Sequence, residues 1–82
     1  MNKENLKRGQ ELSGNIERLE RQLNVLNKAT NLSSSTIGFY ESGVGNAGEI
    51  SASWIDFEVL KVLAINKITK KLNEYKQEFE KL

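Results

Sequence analysis

The 82-residue sequence predicts a mainly α fold: an antiparallel two-helix coiled-coil hairpin with a short β-hairpin between the helices. Three observations carry this expectation. Apolar residues recur at alternating spacings of three and four toward both ends, the a/d seam of packed helices. Between the seams lie two short runs that alternate with period two around a glycine-rich loop. Proline is absent, so nothing in the chain forces a helix to stop early.

In the first helix the seam is Leu12, Ile16, Leu19, Leu23 and Leu26, with Glu17, Arg18, Glu20, Arg21 and Gln22 on the solvated faces. Glu17 and Arg21 have the favourable i,i+4 order of charge. Gly9 and Gly14 weaken the early turns, each by roughly 1 kcal/mol relative to alanine. The chain turns polar from Asn27 to Ser35, so the helix is expected over about residues 3–30.

The last helix, expected over about residues 55–82, carries the seam Ile65, Ile68, Leu72, Tyr75, Phe79 and Leu82. Asp56 is a candidate N-cap, and Ser53 with Asp56 has the spacing of a capping box. Just upstream of the seam, Val59, Leu60, Val62, Leu63, Ala64 and Ile65 make this helix apolar nearly all round. Such a helix needs neighbours on more than one side. Antiparallel pairing of the seams sets Leu23 near Ile65, Leu19 near Ile68 or Thr69 and Ile16 near Leu72. Gly9 then falls opposite Phe79, where a missing side chain leaves room for a ring.

The connection, about residues 36–53, reads as the β-hairpin, with Ile37 and Phe39 on one face and Gly38 and Tyr40 on the other. Ile50, Ala52 and Trp54 alternate in the second run. Between the runs stands GVGNAG, which matches the G-x-G-x-x-G pattern of a dinucleotide turn. That turn needs a helix opening at its third glycine to hold the pyrophosphate. Here Gly48 leads into a strand-like run, and Ile68 stands where the acidic ribose ligand is expected. The better reading makes Gly43, Gly45, Asn46 and Gly48 the hairpin turn, where glycine and asparagine supply positive φ.

No catalytic, cofactor or metal residues are expected, and the chain is not read as an enzyme. Cysteine and histidine are both absent, which removes thiolate chemistry, the commonest general base and the commonest metal ligand. Ser33, Ser34, Ser35 and Thr36 form a hydroxyl cluster, but no histidine exists to activate a serine. A serine–lysine pair stays open at this point. Glu74, Glu78 and Glu80 are interleaved with Lys76 and Lys81, as on a wet helix end.

Twelve basic and eleven acidic residues leave a net charge of +1. Residues 1–28 carry +2, residues 29–55 carry −2 and residues 56–82 carry +1, so no segment is a block of positive charge. Nucleic acid is therefore not an expected partner. The alternative, a nucleic-acid-binding helical dimer, would use Lys67, Lys70 and Lys71. No apolar run follows the lysines of MNKENLKRGQ, so no signal peptide is expected, and no stretch is apolar enough to span a membrane. A cytoplasmic protein without a small-molecule substrate is the resulting expectation.

The segments KRGQELSGNIERLERQL and LNEYKQEFEKL resemble the ends of small uncharacterised coiled-coil helical-hairpin proteins of bacterial prophages and mobile elements. That resemblance covers the two helices and implies no activity and no functional residues. The helix–hairpin–helix order also resembles the β-type prefoldin subunit, which implies a chaperone clamp as a further alternative.

Two helices alone make a thin core against the entropy of ordering them. The leading expectation is a non-enzymatic interaction or structural module, a homodimer or tetramer that displays a polar β-hairpin tip to an unidentified protein partner. Trp54, Phe57, Val59, Val62 and Leu63 are the candidates for the oligomer interface.

Overall fold

A computed structural model describes residues 2–82. Helix α1 spans Lys3–Lys28, strands β1 and β2 span Thr36–Glu41 and Gly45–Ser51, a single 3-10 turn follows at Ala52–Trp54, and helix α2 spans Phe57–Glu80. The fold is mainly helical, with the two-stranded antiparallel sheet between the helices.

Each helix starts where a side chain satisfies free backbone N–H groups. The Asn2 side chain accepts from Asn5 N at 2.8 Å. Asp56 Oδ1 accepts from Glu58 N at 3.1 Å and Val59 N at 3.4 Å, so Asp56 is the N-cap. Ser53 takes no part in that cap. Its N–H instead donates to Ser51 Oγ, within the 3-10 turn. Both helices are shorter than expected, because Ala29 is already extended and α2 does not begin until the residue after Asp56.

α1 and α2 pack along their seams and bury Leu12, Leu19 and Leu72. Ile16, Leu23, Leu26, Ile65, Ile68, Tyr75 and Leu82 are half buried. Phe79, expected in the core, is 46% exposed, because it lies where the helices end and no third element among the described residues covers its ring. Contacts at both ends of the pair establish the register. Arg8 Nη2 meets Glu78 Oε1 at 2.7 Å, and a Cβ at Gly9 would stand 3.9 Å from the Phe79 ring. At the other end Lys61 Nζ donates to the Ala29 carbonyl oxygen at 3.0 Å.

The hairpin is built differently from its expectation. Val44 N donates to Glu41 O at 3.0 Å, and Gly43 has a φ of 84°. Positive φ at the third position is the mark of a type II turn, so the reversal occupies residues 41–44. Gly45, Asn46 and Gly48 belong to β2 rather than to the turn. Asn46 supplies no positive φ, since among the described residues only glycines have one. The register runs Ile37↔Ile50, Phe39↔Gly48 and Tyr40↔Asn46, which leaves Ala47 as a β-bulge. Ala52 and Trp54, read as strand, form the 3-10 turn.

The molecule measures 51 × 33 × 16 Å, and its radius of gyration of 17.3 Å exceeds the roughly 12 Å of a compact domain of this length. It is one layer thick. Neither strand packs substantially on a helix, so the hairpin's apolar side chains find no core beneath them.

Candidate functional site

Helix α2 carries two apolar faces. One, with Leu60, Ala64, Ile65, Ile68 and Leu72, is half buried to buried. Val59, Val62 and Leu63, at i, i+3 and i+4, form the other. They are 53%, 55% and 61% exposed, and Trp54 just before the helix is 80% exposed. Two adjoining apolar depressions of about 370 and 290 Å³ share Val59 and Leu63, the larger lined also by Trp54, Ile55 and Leu60. Together they make one contiguous exposed apolar patch.

Phe57 does not belong to this patch. It is half buried and lines a polar cleft of about 720 Å³ with residues 30–35 and 51–53. Val25 of α1, outside the seam spacing, is 66% exposed and was not expected to matter. An isolated apolar residue off the seam gives no pattern to detect.

The other candidates resolve into ordinary surface chemistry. The serine cluster lines the polar cleft, where Ser51 Oγ and Ser53 Oγ share a hydrogen bond of 2.8 Å and Thr36 N donates to Ser34 Oγ at 3.3 Å. Lys61, the first lysine after the cluster in sequence, turns instead to the Ala29 carbonyl. There it meets the negative end of α1, where a cation is favoured. Glu74 pairs with Lys71 at 3.6 Å and Glu78 with Arg8, while Lys71 Nζ also lies 4.9 Å from the centre of the Tyr75 ring. Among the described residues no three acidic side chains could hold a metal ion. The Arg8 guanidinium is held above its already high ordinary pKa, first by its hydrogen bond to Glu78 and then by that to Glu11.

GVGNAG carries the chain from the turn into β2, and no helix opens at Gly48. The backbone geometry that would seat a pyrophosphate is therefore missing. Nor is any helix among the described residues long and apolar enough to cross a membrane.

No family model, no curated protein and no solved structure matches the chain.

Proposed function

We propose that the chain is a non-enzymatic, cytoplasmic interaction module that works as a homo-oligomer, a dimer in its simplest form, in which two helical hairpins associate into a four-helix bundle. The exposed stripe Val59, Val62 and Leu63 with Trp54 carries this reading. These side chains bury apolar area only if a neighbour covers them, and that burial is the main favourable term in association. A second copy brings an identical patch, and a two-fold interface needs only one self-complementary surface.

The buried core supports the same reading. Among the described residues only Leu12, Leu19 and Leu72 are buried in the single chain, a small return for ordering two long helices. The resemblance of both helices to prophage coiled-coil proteins belongs to this proposal and adds no activity to it. Light scattering after size exclusion tests the interface. Val62→Glu sets a charge in the patch and is expected to reduce the mass to that of one chain, whereas Lys70→Glu is expected to leave it unchanged. The reverse outcome would move the interface to the lysine face and favour an acidic partner or nucleic acid.

A further inference from the structure

Among the described residues strand β1 has no second neighbour. Thr36–Glu41 pairs with β2 on one side only, and five of its six residues are exposed. In an antiparallel pair, alternate residues aim their N–H and C=O groups away from the partner strand. Such an edge invites a further strand, and proteins commonly blunt it with lysine, proline, a bulge or a covering element. The strand TIGFYE has neither lysine nor proline, and the bulge lies in β2, at Ala47. Apart from β2, the short 3-10 turn is the one element among the described residues that packs appreciably on β1.

The chemistry of this end of the molecule is one-sided. Between Lys28 and Lys61 there is no basic residue, while Glu41, Glu49, Asp56 and Glu58 are all acidic. Aromatic surface accompanies the charge: Tyr40 is 73% exposed and Phe39 48%. The tip is thus not simply polar, as the sequence suggested. An isolated two-stranded hairpin is marginal in water, and a third strand gives it the neighbour it lacks.

We infer that β1 is a docking edge for an extended, basic polypeptide segment, which adds a third strand to the sheet. Backbone groups pair with the free edge, apolar side chains meet Ile37 and Phe39, and lysine or arginine side chains meet Glu41 and Glu49 and lie over the Tyr40 ring. A second copy of the hairpin fits the edge less well, because it brings more carboxylates and no cation. The inference rests on the reading of the chain as an interaction module, and it uses a surface separate from the α2 patch.

The test is fluorescence anisotropy with a labelled basic peptide, KTVKITVK, against the acidic control ETVEITVE, on the full chain. The basic peptide is expected to bind and the control to fail. Affinity should fall about tenfold or more between about 0.1 M and about 1 M salt, as the screening length shrinks from about 10 Å to about 3 Å. Backbone amide shifts on binding should centre on Thr36–Glu41. The double variant Glu41→Lys, Glu49→Lys should lose the peptide while keeping its helical circular dichroism. Equal binding of both peptides, no binding of either, or concentration-dependent β1 shifts without peptide would overturn the inference. The last outcome would assign the edge to a second copy. Loss of peptide binding with an intact dimer mass would sink this inference alone, whereas a monomer that still binds would sink only the dimer.

Discussion

Gly9 of α1 faces the ring of Phe79 of α2 with space for one more carbon. A Cβ built at Gly9 would stand 3.9 Å from Phe79 Cε2 and 3.5 Å from Leu82 Cδ1, both ordinary contacts. The glycine is therefore not needed to seat the ring. Gly9→Ala should stabilise the fold by about 0.5–1 kcal/mol, through helix propensity and added contact. Gly14→Ala, with nothing within 4 Å of the added carbon, should gain from helix propensity alone. Urea unfolding of both variants checks this, and a lowered midpoint for Gly9→Ala would show the packing to be tighter than described.

The core prediction separates two seam residues. Leu72 is 6% exposed and Phe79 46%. Leu72→Ala should cost about 2–5 kcal/mol, the range for deleting a buried side chain. Phe79→Ala should cost clearly less, since half its ring is already in water. Thermal melts of the pair decide it: equal losses would mean that Phe79 is covered in solution.

Lys61 occupies a seam position but uses its ammonium to close α1, at 3.0 Å from the Ala29 carbonyl. Lys61→Met keeps most of the aliphatic stem and removes that bond. A loss of about 1 kcal/mol is expected, as for a partly exposed hydrogen bond. An unchanged unfolding midpoint would assign the residue to solvent.

The glycines of the hairpin should differ sharply from Asn46. Gly43, Gly45 and Gly48 have φ values of 84°, 114° and 139°, where a side chain is strained. Alanine at any of them should disorder the hairpin, seen as lost cross-strand contacts in NMR spectra, while helical circular dichroism persists. Asn46→Ala should leave both signals intact, because its φ is ordinary and its side chain is exposed. Loss of the hairpin in that variant would restore the asparagine to a turn role.

The helices were legible because seam spacing is a direct image of helix geometry, and the same spacing also set the register near Gly9 and Phe79. The hairpin was legible only in outline. GVGNAG offers three glycines, and cross-strand pairing of Ile37 with Ile50, together with the bulge at Ala47, decides which one turns the chain. Local composition carries no record of that register. The brief alternation through Ala52 and Trp54 fits a strand as well as a 3-10 turn, and the Ser51 side chain tips it by accepting from Ser53 N. Of the expected interface, Trp54, Val59, Val62 and Leu63 are exposed, because the all-round apolar stretch of α2 exceeds what α1 can cover. Phe57, the first residue of α2, faces away from them because two positions along the helix set it about 200° round from Val59. A lysine on an apolar seam, as at Lys61, gives no warning of its role.

A second copy that covers the α2 patch doubles the mass of the particle, and sedimentation equilibrium of the full chain at micromolar concentration reads that mass. A species of twice the 9.3 kDa chain mass, or a higher even multiple, is expected, dissociating on dilution together with loss of helical signal. A stable, folded species that stays at 9.3 kDa across the concentration range would contradict it.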